Sequence, residues 1–276
     1  MGTFPPRECG IATFTKDLVT AMDNKFSPTI KSKILALNKN SVNFYNYSED
    51  VIYQIDDTNI KEYIEVAKKI NENELIKLVN IQHEFGLFGG TYGDYIIPFL
   101  AIVRKPVVIT FHSVLPTPNE KLRSVVRAIA DRVDCIIVMN SKAIDILQKD
   151  YFITKDIVVV PHGIPTVAFN SAYEQKVKLG YKDKILLSSF GLMSAGKGYE
   201  NIIEALPEVI KVFPNLLYII MGQTHPTVRK NEGEIYRNKL EEMVKKLNLN
   251  NHVKFYNKYL DIKEIKIGRA SCRERV

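Results

Sequence analysis

Along the chain, short apolar runs alternate with segments in which apolar residues recur at three- and four-residue spacing. The runs are typical of strands and the spaced segments of helices with one buried face. The predicted strands are Lys33–Leu37, Val51–Ile55, Leu78–Gln82, Val107–Phe111, Cys135–Met139, Ile157–Val160, Ile185–Phe190, Leu216–Met221 and Val253–Tyr256. Several of these runs are apolar throughout, which favours strands buried on both faces of a parallel sheet.

Helical spacing occurs at residues 60–70, 202–210 and 240–247. Strands that alternate with helices in this way predict an α/β protein with doubly wound parallel sheets. At 276 residues the chain has room for two domains. A polar stretch at 166–184 places the boundary between them after residue 167, and the polar residues 38–50 predict a long surface loop.

The N-terminus predicts a helix that begins near Ala12 and follows the loop PPRECGIA. The residues expected on the buried face of this helix are Phe14, Leu18, Ala21 and Met22. In a doubly wound domain such a loop follows a central strand, but only residues 1–4 precede it here. The first strand is therefore either very short or lacks residues.

Composition is that of a soluble globular protein, with 46% hydrophobic and 25% charged residues. No apolar stretch approaches the ~18 residues of a membrane span, and no secretory signal is visible. Three scattered cysteines predict neither a disulfide framework nor a zinc cluster. We therefore expect a cytoplasmic protein.

The last ten residues, Ile267–Val276, read IGRASCRERV, as a translated sequencing adaptor would. We interpret this tail as non-native and expect native sequence to be missing after Lys266. The tail holds three arginines and one glutamate, so part of the net charge of +7 is not informative. The excess of basic over acidic residues is then only weak evidence for nucleic-acid binding, and no nucleic-acid partner is expected.

Two loops that follow predicted strands carry histidines. His112 follows PVVITF, and a histidine at the carboxyl end of a parallel strand points into the ligand crevice, although a purely structural histidine fits equally well. His83 and Glu84 follow the preceding strand, where adjacent residues face opposite sides. They are poor joint metal ligands, so no metal site is expected, and we predict that they shape an acceptor pocket. The pattern alone favours an exposed turn for His162.

Glycines stand at several junctions between a loop and a helix. In FGLMSAGKG, glycines and a lysine at a helix N-terminus suit a phosphate group. Gly198 replaces the Ser or Thr of a P-loop, so a nucleoside triphosphatase is disfavoured. The candidate ligand-binding residues of this kind are Gly10, Gly191, Gly196, Lys197, Gly198 and Gly222.

The segments PPRECGIATFTKDL, TFHS, VVPHGI and FGLMSAGKG, in this order, resemble the retaining GT-B glycosyltransferases of family four. The resemblance covers Gly2 to Lys266. It implies two Rossmann-like domains that face a cleft, with residues 1–167 binding the acceptor and residues 168–266 binding a nucleotide-sugar in an incomplete domain. It also implies transfer of a hexose to a glycan or lipid-linked acceptor with retention, without cofactor or metal, and is compatible with peripheral membrane association.

The resemblance further implies that Gly10 lies near the donor phosphates or sugar, that His112 lies beside the reacting sugar and that Lys197 pairs with the diphosphate. Glycosyltransferases of this family carry an arginine where this chain has Leu192, and their paired glutamates would fall beyond Asp261. We therefore expect the chain as written to be inactive and prone to aggregation. Two alternatives stay open: another GT-B enzyme such as an epimerase or phosphorylase, and a non-catalytic nucleotide- or carbohydrate-binding protein.

Overall fold

A computed structural model of the chain describes residues 1–39, 45–163 and 171–259. The chain forms two compact units, Met1–Ile164 and Pro165–Val276, which we call the N-terminal and the C-terminal unit. The boundary expected after residue 167 and the tail that begins at Ile267 lie outside the described residues, as do residues 40–44 of the expected surface loop. These expectations stay predictions.

The N-terminal unit alternates parallel strands with helices, as predicted. Its strands are β1 (Ile34–Asn38), β2 (Val51–Asp56), β3 (Val79–His83), β4 (Val107–Phe111), β5 (Cys135–Val138) and β6 (Ile157–Val159). Its helices are α1 (Gly10–Phe26), α2 (Ile60–Glu72), α3 (Ile96–Ile102), α4 (Glu120–Ala130) and α5 (Ser141–Lys149). Strands β1 and β2 pair with each other, and the other four pair in the order β3-β4-β5-β6.

Residues 1–3 join these two groups of strands. The backbone N–H of Gly2 donates to the carbonyl of Leu35 at 3.1 Å, and the N–H of Leu37 donates to the carbonyl of Gly2 at 3.0 Å. On the other side, the N–H of Gln82 donates to the carbonyl of Met1 at 2.9 Å. The resulting order, β2-β1-(1–3)-β3-β4-β5-β6, is the strand order of a doubly wound nucleotide-binding sheet. The central strand is thus present in a very short form.

Helix α1 does not bury the face that its sequence predicted. Its buried residues are Ala12 and Thr15, whereas Met22 is 38% exposed. Small residues face inward because the helix lies close to the short central segment: a Cβ atom added to Gly2 would lie 3.4 Å from the Thr15 hydroxyl. The predicted face carries Phe14, which instead packs against the ring of His112.

Most helices of the N-terminal unit begin at a polar residue that binds a free N–H group of the first turn. The amide oxygens of Asn59, Asn119 and Asn140 each accept such a bond, at the starts of α2, α4 and α5. At α1 this role falls to Cys9, whose Sγ accepts from the N–H of Ala12 at 3.4 Å. Cys9 is therefore the residue that caps the start of α1.

The C-terminal unit contains a second parallel sheet. Its strands are β7 (Ile185–Phe190), β8 (Leu216–Met221) and β9 (Val253–Tyr256), and its helices are α6 (Ala172–Lys178), α7 (Tyr199–Val212), α8 (Pro226–Glu232) and α9 (Ile235–Lys246). The described strands pair in the order β7-β8-β9, which corresponds to one half of a doubly wound sheet. Tyr218 and Ile220 of β8 are fully buried, packed against Ile203 and Leu240 of the flanking helices.

The predicted α/β class with Rossmann-like parallel sheets is confirmed, and every predicted strand is found to within one residue at each end. Short helices were harder to predict. Helix α6 lies in the polar stretch that was interpreted as a break between domains. Its seven residues are too few to show the spacing of apolar residues that predicts a helix. Among the described residues, no helix is both long enough and apolar enough to cross a membrane.

Candidate functional site

His112 follows β4 directly and lies at the carboxyl edge of the sheet. Its backbone N–H donates to the carbonyl of His83 at 3.0 Å, which extends the strand pairing by one residue. Its ring Nε2 lies 2.9 Å from Oε1 of Gln82. The amide nitrogen of Gln82 in turn donates to Oδ1 of Asn80 at 2.7 Å. Asn80 and Gln82 lie two residues apart on β3, so both side chains project from the same face of the sheet.

The surroundings of His112 keep its imidazole neutral. Burial, and then the charge of His162, lower the pKa of His112 to about 4. The Phe14 ring meets the His112 ring edge-on, with centroids 4.7 Å apart, and the His162 ring lies 6.3 Å from that of His112. At neutral pH His112 therefore offers one N–H donor and one nitrogen acceptor.

Glu84 and Ser113 join the two loops that follow β3 and β4. The Ser113 hydroxyl donates to Oε2 of Glu84 at 2.5 Å. The other carboxylate oxygen, Oε1, accepts from the backbone N–H of Phe85 at 3.0 Å. Glu84 is half-buried, so this fixed carboxylate retains exposed surface at the edge of the sheet. Its predicted place in the acceptor pocket stays a prediction.

His83 lies beneath that edge, in an aromatic cluster. Its ring stacks on Phe88 with centroids 5.2 Å apart, and it meets Phe85 and Phe111 edge-on. Both ring nitrogens are buried without a hydrogen-bond partner among the described residues. Burial, and then the charge of His112, lower the pKa of His83 to about 3. The assignment of His83 to the acceptor pocket stays a prediction, and the structure places its ring below that surface.

A cavity of about 210 Å³ opens beside His112. It is bounded on one side by the end of β4 and on the other by the start of α5, where Asn140 caps the helix. Its lining residues are Phe111, His112, Val114, Met139, Asn140, Lys142, Ala143 and Ile146. The sequence singled out only His112 from this set. Asn140 follows β5 in the same way as His112 follows β4, so its position after a strand was the signal available.

Gly10 is the first residue of α1, one turn before Phe14. A Cβ atom added to Gly10 would meet nothing within 4 Å, so no described neighbour requires glycine there. This open space is compatible with the predicted contact between Gly10 and a ligand, which stays a prediction.

In the C-terminal unit, two glycine loops run side by side at the carboxyl edge of the sheet. Gly191 follows β7 and Gly222 follows β8, and a Cβ atom on Gly222 would lie 2.0 Å from the carbonyl oxygen of Gly191. Beyond the glycines the loops stay paired: Met193 donates to the carbonyl of Gln223 at 2.8 Å, and His225 donates to the carbonyl of Met193 at 2.9 Å. This close approach explains why glycine stands at position 222.

Lys197 lies in the next turn of this edge. Residues Ala195–Lys197, including Gly196, form a short 3₁₀ turn, and Gly198 then caps α7. Lys197 is exposed and makes no ion pair with a described residue. Arg229 lies on α8, which follows the Gly222 loop, and is likewise exposed. Within the part of the chain that is described, no group of three His, Cys, Asp or Glu could hold a metal ion.

Both units match family models of the same class of enzyme. Residues 87–167 match the model of Glycosyltransferase Family 4. Residues 171–266 match the model of Glycosyl transferases group 1. Both models describe glycosyltransferases, and the matched residues follow one another along the chain. No curated protein matches the sequence significantly.

Solved structures share the fold of this chain at low identity. Anabaena Alr3699/HepE, in complex with UDP and glucose, has a TM-score of 0.64 at 15% identity, over 98% of this chain and 71% of that chain. Sucrose-phosphate synthase from Thermosynechococcus elongatus has a TM-score of 0.73 at 14% identity, over 95% of this chain and 68% of that chain. A glycosyltransferase from Rickettsia africae has a TM-score of 0.63 at 14% identity, over 96% of this chain and 69% of that chain.

Proposed function

We propose that this protein transfers a sugar from a nucleotide-sugar to an acceptor, with the donor bound by the C-terminal unit and the acceptor by the N-terminal unit. The observation that carries the proposal is the match of one glycosyltransferase family model to residues 87–167 and of another to residues 171–266. The structure of Anabaena Alr3699/HepE with UDP-glucose, which has the same fold at 16% identity, supports a uridine diphosphate sugar as the first donor to test.

In more detail, we propose a hexose as the transferred sugar, retention of its configuration and a glycan or lipid-linked molecule as the acceptor. In this reaction the bond between the sugar C1 and the diphosphate oxygen breaks, and the diphosphate leaves with the electron pair. The acceptor oxygen bonds to C1 and gives up its proton to the leaving diphosphate. We place the protein in the cytoplasm, with no metal in the reaction.

Residues at the carboxyl edges of the two sheets would have different roles in this reaction. The exposed ammonium group of Lys197, which no described carboxylate neutralises, would stabilise the charge that develops on the leaving diphosphate. His112 would position the reacting sugar through a neutral imidazole. Gly10 and the glycines at 191, 196, 198 and 222 would allow the backbone to approach the donor. Glu84 would contact the acceptor.

The test is an assay with UDP-glucose and a mixture of glycan and lipid-linked acceptors, with and without EDTA. It uses a version of the protein that carries native sequence in place of Ile267–Val276, because the chain as written is expected to be inactive. We expect UDP to be released in step with a glucosylated product, equally in both conditions. Conversion of UDP-glucose to an isomeric UDP-sugar would indicate an epimerase, and phosphate-dependent cleavage of a disaccharide would indicate a phosphorylase.

Calorimetric titration with UDP runs in parallel, because donor binding and turnover depend on different residues. Binding without any turnover would favour the non-catalytic alternative. The absence of both binding and turnover with every nucleotide-sugar tested would contradict the proposal.

A further inference from the structure

Gln82 is a buried polar residue that the proposed reaction does not use. Its side chain is 2% exposed, and it lies at the penultimate position of β3, directly beside the short central segment. A Cβ atom on Gly2 would lie 3.2 Å from the Cβ of Gln82, so the backbone of this segment presses against the Gln82 stem. The residue therefore packs against residues 1–3 and has little freedom to rotate.

Gln82 presents the oxygen end of its amide to His112. Its NH₂ group donates to Oδ1 of Asn80 at 2.7 Å. The amide oxygen is then the atom that faces the His112 ring, at 2.9 Å from Nε2. A carbonyl oxygen only accepts hydrogen bonds, so the partner nitrogen must carry the proton.

This arrangement determines the state of the opposite ring nitrogen. When Nε2 carries the proton in a neutral imidazole, Nδ1 holds a lone pair. Nδ1 makes no hydrogen bond with a described residue. His112 also lines the cavity at the carboxyl edge of the sheet. A lone pair at that edge accepts a hydrogen bond from a hydroxyl group and does not bind a phosphate oxygen, which is itself an acceptor.

We propose that Gln82 is a positioning residue, which together with Asn80 holds His112 in the Nε2–H tautomer so that Nδ1 accepts a hydrogen bond from a hydroxyl group of the sugar. The hydroxyl part of this proposal rests on the proposed function. The tautomer part stands on the geometry of the N-terminal unit alone.

The first test is independent of activity. The whole chain is labelled with ¹⁵N-histidine, and long-range ¹H–¹⁵N spectra report the tautomer of each of its five histidines. We expect His112 in a single Nε2–H form, with that proton protected from exchange with solvent. A wild-type His112 that carries its proton on Nδ1 would overturn the proposal, because Gln82 would then present its NH₂ group to the ring.

Three variants distinguish the effect of the hydrogen bond between Gln82 and His112 from the effect of packing around the ring. In Gln82→Met, which keeps the length of the side chain, we expect a mixture of tautomers and rapid exchange of the Nε2 proton. In Gln82→Glu, an acceptor remains, so we expect the Nε2–H form to be retained and the pKa of His112 to rise. Phe14→Leu removes the ring contact at 4.7 Å but no hydrogen bond, so it should leave the tautomer unchanged. An unchanged, protected Nε2 proton in Gln82→Met would also overturn the proposal.

The second test concerns the hydroxyl group. On titration with UDP-glucose, the Nδ1 resonance of His112 should shift more than its Nε2 resonance. In the version with native sequence in place of Ile267–Val276, turnover of Gln82→Met should fall about 10-fold or more with a smaller change in KM, and Gln82→Glu should recover part of it. If the first test succeeds while UDP-glucose moves neither resonance, the tautomer assignment holds and the proposed sugar contact is wrong.

Discussion

The hydroxyl of Ser113 and the carboxylate of Glu84 are joined by a 2.5 Å hydrogen bond that connects the loops after β4 and β3. The two residues are separated by 29 positions along the chain, and the parallel pairing of the strands brings them together. This bond holds a carboxylate in one orientation at the edge where the acceptor is proposed to bind.

We predict that Ser113→Ala lowers the free energy of unfolding by about 1 kcal/mol. A hydrogen bond to a charged group contributes about 1.5–3 kcal/mol, and the half-exposed carboxylate recovers part of this from water. Urea denaturation of both proteins measures the difference. The matched control is Ser124→Ala, because the exposed Ser124 hydroxyl donates only to the carbonyl of Glu120 in its own helix. Equal changes in the free energy of unfolding of the two variants would show that the bond to Glu84 contributes no more to stability than a hydrogen bond within one helix.

The strands were predictable because they are continuous apolar runs, as in Val107–Phe111 and Leu216–Met221. A continuous apolar run indicates that a strand is buried on both faces of the sheet. This signal lies in the local sequence and needs no knowledge of the partner strands. The buried face of α1 was not predictable in the same way. It depends on the close approach of Thr15 to Gly2, and that approach is a property of the assembled sheet.

The candidate site was predictable only in part, for a related reason. His112 stood out because it follows a strand, but the residue that orients it, Gln82, lies inside the preceding strand. The polar residues Asn80 and Gln82 in a run of apolar residues were the available signal. The partner of Gln82 could not be named without the register between β3 and β4. His162 was interpreted as an exposed turn residue, and it is exposed, yet its ring lies 5.5 Å from that of Phe14.

A second prediction concerns His83 and acid stability. Its pKa is lowered to about 3 in the fold, whereas an unfolded histidine titrates near 6.5. Between these values the unfolded state binds a proton that the folded state does not, so stability must fall as the pH falls through this window. In His83→Leu we expect this contribution, up to ~1.4 kcal/mol per pH unit, to be absent.

The measurement is urea denaturation of the wild type and of His83→Leu at several values between pH 7 and pH 4. Carboxylates titrate in the same window, but they are common to both proteins and cancel in the difference. At pH 7 the two proteins should differ by less than about 1.5 kcal/mol, because the lost ring stacking is offset by removal of two unpartnered polar atoms. Parallel pH profiles for the two proteins would refute the argument.

A third prediction concerns the close approach of the two glycine loops. Gly222 has a φ of +142°, and its Cβ position is occupied by the carbonyl of Gly191. Gly222→Ala therefore combines backbone strain with a clash against backbone atoms, and we expect a loss of at least ~2 kcal/mol in the stability of the C-terminal unit. Gly196→Ala is the control, because a Cβ atom there meets nothing within 4 Å. Thermal unfolding of both variants gives the comparison, and similar melting temperatures would show that the loops can separate at little cost.

The last prediction concerns Lys197 and the diphosphate. Lys197 is exposed at the same edge as the two glycine loops and forms no ion pair with a described residue, so its charge is available to an anion. Loss of one charged hydrogen bond should weaken UDP binding by about 1.5–3 kcal/mol, roughly ten- to a hundredfold in Kd. Calorimetry of Lys197→Ala with UDP measures this change directly. Lys197→Arg should recover binding only in part, because a planar guanidinium does not occupy the place of a compact ammonium group. Lys246→Ala, which removes an exposed lysine from the last turn of α9, controls for the net charge of the unit. If Lys197→Ala and Lys246→Ala bind UDP with equal affinity, then Lys197 has no part in holding the diphosphate. Another group would then have to take the place of the arginine that family four glycosyltransferases carry where this chain has Leu192.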